Sequence, residues 1–384
     1  MRDSITASEG ETVPTDGEAA KFNSMILRKL QKAFAEDPEV DLLSKFPSKY
    51  SIRLAEKKAF SSDQSEHDVI SPKRRKIESP QHVFDENDAR SHIRASDDAI
   101  TPFPLSETLK AVLGNGPKLS ESITRLLAQA EPLFSSFTSS MVLKLNAAIA
   151  VKIVHGEADL TEYRTIQFLE THISGDFCPK PLGLVRLSGY NLMFMSYVPG
   201  KSLDKTWPTL NEEQKISLRD QLDKILVELR SLPCPEGTLL GGLDGHGCKD
   251  MRRQLRRNLE PITHHKEFED FLFSKPHFGS RVYIEFIRSL FPSDHNPRCV
   301  FTHGDLRLEN IIVDINPNGW PTIAGIVDWE VSGFYPEYWE SLKVTNCLAT
   351  NERSDWYFYL PKSISPSRYP VQWLLDRIWD KHIE

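Results

Sequence analysis

Apolar positions change their spacing along this chain, and the changes divide it. Up to about residue 100, Ser, Asp, Glu, Lys and Arg dominate, and every Trp and Cys lies beyond that point. So little apolar surface can be buried there that residues 1–100 read as a disordered tail. One stretch departs from this. In Ser24–Glu36, Met25, Ile26, Leu30, Ala33 and Phe34 recur at helical spacing, which reads as a docking helix or as a marginal amphipathic helix without a defined partner. Order begins near Pro102. Leu105–Leu113 reads as a helix with Ser106 as cap and Gly114 just past its end, and Leu119–Phe134 as a second helical stretch. Val142–Leu145 and Ile149–Val154 are β-rich runs flanking Asn146-Ala147-Ala148, which predicts a hairpin whose second strand carries Lys152. Asp159–Leu169 returns to helical spacing with Glu162 in its first turn. Tyr190–Tyr197 is an apolar run of strand length closed by Val198-Pro199-Gly200.

The second half is richer in helical patterns. Thr209 and Glu212 have the spacing of a capping box. Behind them Leu218, Leu222, Ile225, Leu226 and Leu229 form one stripe, which is core packing. Gly241–Asp250 is glycine-rich and reads as a surface turn in preference to the alternative, a substrate-pocket wall. Arg252, Arg253, Arg256 and Arg257 read as a basic helical face, solvated or facing an anionic partner. Glu267–Phe273 and Ser280–Phe291 predict further helices, as do Glu337–Leu348 and Arg368–Ile383; in the last, Trp373, Leu374, Ile378 and Trp379 read as core. Between these groups lie the runs Asn310–Asp314 and Thr322–Asp328, separated by a turn rich in Asn, Pro and Gly: a β-hairpin with polar side chains at both mouths.

Length and composition set bounds. A chain of 384 residues has room for two lobes and a tail. Hydrophobic residues at 39% and charged residues at 26% belong to a soluble globular protein. The net charge of −7 argues against coating nucleic acid. No apolar run approaches the roughly 18 residues a membrane helix needs, and the acidic, polar start is not a secretory signal. The five cysteines are widely spaced with no Cys-x-x-Cys pair, so reduced thiols and a cytoplasmic location are expected. Ser71–Pro80 places the cations Lys73–Lys76 between two Ser-Pro steps. It reads evenly as a nuclear-import signal or as a solvated charge run.

The candidate chemistry centres on Phe301–Glu330. Asp305 follows His-Gly, Asn310 stands five residues on, and Asp328 eighteen beyond that. A hairpin joins its own ends, so Asn310 and Asp328 can lie side by side. An amide oxygen and a carboxylate held that way are hard ligands suited to Mg²⁺ carrying a nucleotide phosphate. Asp305, just upstream, is placed to accept a proton from an attacking hydroxyl. Lys152, in an apolar strand, needs a partner to offset its desolvation.

These residues resemble the catalytic and metal loops of kinases, with His-Gly-Asp in place of His-Arg-Asp and Asp-Trp-Glu in place of Asp-Phe-Gly. Both differences resemble the aminoglycoside phosphotransferase and choline kinase group of the protein-kinase-like superfamily, and Gly333–Glu340 resembles its fungal members. The resemblance covers about residues 134–339. It implies an α+β, two-lobed fold: a small β-rich lobe over 101–197, a hinge at Ser196–Val198, and a larger helical lobe over 198–384. It implies that Lys152, in Ala-Val-Lys-Ile, steadies the α- and β-phosphates of ATP and that Glu162 is its ion-pair partner, with Glu170 a nearby rival. Backbone groups at Ser196 and Val198 would bind adenine, Asn310 and Asp328 would hold Mg²⁺, and Asp305 would be the catalytic base. His303 would hold its loop by hydrogen bonds. There is no Gly-x-Gly-x-x-Gly before Lys152; Ser135, Ser136, Ser139 and Ser140 are weak candidates for covering phosphates.

The activity implied is ATP- and Mg²⁺-dependent transfer of the γ-phosphate to a hydroxyl of a small molecule. Glu330, Glu337 and Glu340 would suit a cationic acceptor and equally suit plain surface charge. Neither a nucleic-acid nor a membrane partner is expected. The alternative is a catalytically inactive kinase-like module that binds a nucleotide, metabolite or protein. Protein kinase activity is disfavoured by the missing glycine loop, by Asp-Trp-Glu and by the lack of an Ala-Pro-Glu segment.

Overall fold

A computed structural model describes residues 88–384 except 115, 136–139, 157–158, 235–239, 244, 246, 252–254, 259–261, 275, 277, 293–296 and 384, and, of the first 87, residues 23, 26, 27, 30, 31, 37 and 84. The chain divides into two compact units, Met1–Pro80 and Gln81–Glu384, each taken by itself. In the first, Asn23, Ile26, Leu27, Leu30 and Gln31 are helical, in line with the spacing in Ser24–Glu36. The predicted disorder of residues 1–100 is not met at 88–100, where Ala89–Ser91 forms a 3₁₀ turn and Ile93 is buried in the core, so order begins ahead of the predicted Pro102. The Lys73–Lys76 run and most of the rest of the tail lie outside the described residues.

In the second unit, β1 (Ile100–Phe103) leads to α1 (Glu107–Leu113) and α2 (Leu119–Gln129), then β2 (Glu131–Ser135), β3 (Ser140–Lys144) and β4 (Ile149–His155). Helix α3 (Thr161–His172) follows, then β5 (Pro181–Leu187) and β6 (Tyr190–Ser196). The six strands form one antiparallel sheet in the order β1-β5-β6-β4-β3-β2. Ser106 caps α1 by accepting the Leu109 N–H, and Gly114 ends it at φ +69°, as expected. The run Leu119–Phe134 is not all helix. It stops at Gln129 because Pro132 has no N–H to continue the ladder; an edge strand tolerates that residue, and β2 is an edge.

Alternation along β4 decides which way Lys152 points. Ile149, Val151 and Ile153 join Leu109, Leu113, Ile123 and Leu127 of α1 and α2 in a core on one face. Ala150 faces the other side with Met193 and Met195, against Ile166 and Leu169 of α3. A period of two puts Lys152 on that same second face, toward α3.

Beyond β6 the chain turns helical. β7 (Lys201–Ser202) is followed by α4 (Glu212–Ser231), which buries Leu218, Leu222, Leu226 and Leu229. Its capping box is Asn211 with Gln214, two residues later than the predicted Thr209 and Glu212. Thr209 instead ends a short 3₁₀ turn, Trp207–Thr209, in which Pro208 fits an N-terminal position. β8 (Lys249–Met251) and β9 (Leu255–Arg257) form a small antiparallel hairpin, so Arg256 and Arg257 are on a strand, not on the predicted helical face. Helices α5 (His265–Leu272) and α6 (Arg281–Ser289) precede β10 (Cys299–Thr302). The predicted hairpin is β11 (Ile311–Ile315) and β12 (Pro321–Ile326), extended by β7 into a three-stranded sheet. β13 (Gly333–Pro336) pairs with β10. Helix α7 spans only Trp339–Lys343, shorter than the predicted Glu337–Leu348, and α8 (Pro370–Ile378) closes the lobe. Phe268, Leu272, Tyr335, Trp339, Leu375 and Trp379 form a second core. Leu375, not the predicted Leu374, is the buried leucine of α8, and Leu374 is exposed. The antiparallel sheet lobe and the helical lobe together make the predicted α+β architecture. No helix among the described residues is long and apolar enough to cross a membrane.

Candidate functional site

Lys152 is the hub. Its ammonium lies 2.6 Å from Glu162 Oε2, 2.7 Å from Asp328 Oδ1 and 3.0 Å from Glu330 Oε2. Burial would lower its pKa, but the three carboxylates outweigh that and hold it well above its ordinary value. One cation cannot offset three anions equally. Glu162 is pushed up to about 7 by burial, against the pull of Lys152. Asp328 is held below its ordinary value, because Lys152 overcomes the cost of its burial. Glu170, the rival partner, is exposed and lines a separate cavity of about 190 Å³ at the far end of α3 with Cys178 and Lys180.

The metal-loop candidate follows β12 directly. Asp328 sits at φ +68°, a left-handed conformation costly for a residue with a Cβ. Strain of this kind costs on the order of 1–3 kcal/mol and persists where surrounding contacts over-determine the backbone. Here the Val327 N–H donates to the Asn310 carbonyl at 2.9 Å, and the ion pair with Lys152 fixes the side chain.

Asp305 stands in the loop after β10. The Nδ2 of Asn310 donates to its backbone oxygen at 2.8 Å and to its Oδ2 at 3.2 Å. Arg307 Nε lies 3.4 Å from the same Oδ2. Burial raises the Asp305 pKa to about 6, with Arg307 pulling the other way. His303 is buried, and burial lowers its pKa to about 4, so it is neutral. Its Nδ1 accepts the Asp305 N–H at 3.2 Å, which leaves Nε2–H to donate to the Val327 oxygen at 3.1 Å. One imidazole thus ties the Asp305 loop to the residue before Asp328.

Glu340 lies beneath this loop, 1% exposed. Its Oε2 accepts the His303 N–H at 2.6 Å, and both its oxygens accept the Gly304 N–H at 3.3 Å. Gly304 is at φ +82°, and a Cβ there would meet the Val331 carbonyl oxygen at 2.9 Å. That explains a glycine between His303 and Asp305.

Lys152, Glu162 and Asp328 therefore meet in one cluster, Asp305 meets Asn310, and His303 joins the two groups. Ser196 and Val198 are half-buried at the end of β6. The Ser196 N–H donates to the Lys180 carbonyl oxygen at 2.9 Å, and the Ser196 hydroxyl accepts the Lys180 N–H at 2.8 Å. Val198 packs close to Gly325 of β12. Ser140 lies in β3, while the side chains of Ser135, Ser136 and Ser139 lie outside the described residues.

Three acidic residues differ from expectation. Glu330 is a direct partner of Lys152, Glu340 is spent on backbone N–H groups, and Glu337 lies near Arg298 at 3.6 Å, so these are not a free acidic surface. Asp-Trp-Glu carried the signal for Glu330 in its second carboxylate. Nothing local marked Glu340, whose partners are distant in sequence. The carboxylate oxygens of Glu162, Asp328 and Glu330 lie within 4.8 Å of one another. These, with the Asn310 amide, are hard oxygen donors of the kind that fit Mg²⁺.

A family model described as the phosphotransferase enzyme family matches residues 141–350. No curated protein matches the chain. Among solved structures, the chain is similar to a streptomycin–ATP–APH(2'')-IIa ternary complex at 14% identity and TM-score 0.47, over 70% of this chain and 88% of that one. It is also similar to ADP-bound aminoglycoside phosphotransferase APH(2'')-Ib at 18% identity and TM-score 0.44, over 65% and 85%. APH(3'')-Id from Streptomyces rimosus matches at 16% identity and TM-score 0.37, over 64% and 91%.

Proposed function

The chain belongs to the phosphotransferase enzyme family, and from that membership we propose that it transfers the γ-phosphate of ATP, with Mg²⁺, to a hydroxyl of a small molecule. The observation that carries the reading is the convergence on Lys152 of Glu162, Asp328 and Glu330, within 3.0 Å each. Three carboxylates around one ammonium leave an excess of negative charge. A triphosphate would be repelled there alone, whereas a divalent cation balances both. Asp328 and the side-chain Oδ1 of Asn310 would hold it, since the Asn310 Nδ2 is committed to Asp305. Mg²⁺ bound there supplies charge neutralisation for the phosphate oxygens.

The remaining work falls to the protein's own side chains. Lys152, on a strand, steadies the α- and β-phosphates, and Glu162 fixes its rotamer from α3. Backbone groups at Ser196 and Val198 hold the base. Asp305, with a pKa of about 6, is mostly charged at neutral pH and takes the proton of the acceptor hydroxyl. The acceptor oxygen then bonds to the γ-phosphorus as the bond to ADP breaks. A base so placed contributes typically about 10²- to 10⁴-fold. A cytoplasmic location, or a nuclear one through Lys73–Lys76, belongs to the same proposal.

The test is a metabolite extract incubated with the protein, ATP and Mg²⁺ and read by mass spectrometry. A compound gaining one phosphate, absent with Asp305→Asn, supports the reading. No such gain with a protein that still binds nucleotide favours the inactive module.

A further inference from the structure

The hairpin of β8 and β9 faces the root of α3, and its charges have an arrangement that the reaction above does not use. Lys249 is 2% exposed. A buried ammonium costs several kcal/mol unless its donors are matched. Its Nζ donates to Asp159 Oδ1 at 2.8 Å, to the Thr161 hydroxyl and to the backbone oxygen of Glu330 at 3.0 Å. Directly across the hairpin stands Arg257. Like charges opposed on a ladder repel. Here they share one counter-ion: Arg257 takes Asp159 Oδ2 at 2.9 Å while Lys249 takes Oδ1. Asp159 also accepts the Thr161 N–H at 3.1 Å, which starts the helix. Burial would raise the pKa of Asp159, but Lys249 holds it below its ordinary value.

We propose that Lys249 is a positioning residue: the hairpin clasps the start of α3 and the loop after Asp328 with one ammonium, and so holds Glu162 and Glu330 against Lys152. The contacts place it one residue from Glu162 through Thr161, and on the carbonyl of Glu330 itself. Both flanks of the carboxylate cage are thus tied to a single point on a distant segment. The hairpin is anchored in turn. Asp250 pairs across the ladder with Arg256, and its other oxygen accepts from buried Lys343 at 2.9 Å. Gly241, upstream, exchanges backbone hydrogen bonds with Phe334 of β13. The glycine-rich segment predicted as a surface turn is therefore the stem of this clasp.

The inference rests on the nucleotide-site reading, and the test separates the two. In the full chain, Lys249→Met, which keeps the length and removes the charge, is compared with Lys249→Arg and with Asp159→Asn, which loosens the clasp while retaining Lys249. Hydrogen–deuterium exchange needs no nucleotide. It is expected to rise in residues 161–172 and 328–332 for Lys249→Met and Asp159→Asn, less for Lys249→Arg, and to stay level in β4–β6. Calorimetry with Mg²⁺–ATP is expected to show binding weakened about 10- to 100-fold, the range for partners that orient a binding group. The loss should be non-additive with Glu162→Gln, since both act through one ion pair. Unchanged exchange in α3, or strictly additive losses, would overturn the clasp. A wild-type protein that binds no nucleotide would count against the proposed function, and the exchange data alone would then decide the clasp.

Discussion

Asp305 carries two opposed influences, and its behaviour with pH follows from them. Burial raises its pKa to about 6 and the Arg307 guanidinium opposes the rise. In the proposed role of base it would work only when deprotonated, so kcat/KM for the acceptor is expected to climb with pH through about 6 and then level. Replacing Arg307 with Ala removes the opposing charge and should move that limb to higher pH, read from the same profile. A limb that stays put or moves down would show that Arg307 does not act on Asp305. Much at this scale was legible in the sequence. Lys152 was readable as a lysine in an apolar strand that needs a partner, and the resemblance to kinases, not spacing alone, pointed to Glu162 over Glu170 as that partner. Glu340 was not readable, since a carboxylate 36 and 37 residues from its amide partners carries no local mark.

Among the elements, the loop between β10 and β11 depends on distant support. Glu340 from α7 holds the N–H groups of His303 and Gly304. Glu340→Gln keeps one acceptor and turns the other into a donor facing N–H groups. Turnover is expected to fall about 10-fold or more, while Mg²⁺–ATP affinity stays within about twofold because Lys152 and Asp328 are untouched. Equal losses in both would show that Glu340 does not act through the Asp305 loop alone. The hairpins at Lys152 and at Asp328 were visible as paired apolar runs around turn residues. The β8–β9 hairpin was not, because its strands are three residues each and its pattern is charge, not alternation. Arg256 looks like a surface cation until its partner Asp250, which it shares with Lys343, is brought beside it. Pro132 was a local signal for the end of α2.

For the molecule as a whole, several buried acids titrate abnormally, and their signs divide. Asp328 and Asp159 are held below their ordinary values, so their stabilisation is present above the ordinary carboxylate range and is lost as pH falls through their lowered values. Burial raises Glu162 and Glu340 to about 7. The folded state then holds more protons than the unfolded between about 4.5 and 7, so stability falls as pH rises across that window. Maximum thermal stability is expected on the mildly acidic side, declining toward pH 8, and the decline should flatten in Glu340→Gln. A melting temperature that rises steadily from pH 5 to pH 8 would contradict this. The strand-rich and helix-rich halves were legible from the switch between strand-length and helix-length patterns, and the two-lobed architecture from the resemblance to kinases. The way the lobes are tied through Lys249 was not, since it depends on pairs about 90 residues apart.

The central claim is that one cleft gathers Lys152 and Asp328 around a metal-bound triphosphate. Titration calorimetry of ATP into the wild-type protein and into Asp328→Ala, each with and without Mg²⁺, tests it most directly. Binding that requires Mg²⁺ in the wild type and vanishes in Asp328→Ala is the predicted result. Equal binding by the two proteins, or binding indifferent to Mg²⁺, would contradict it.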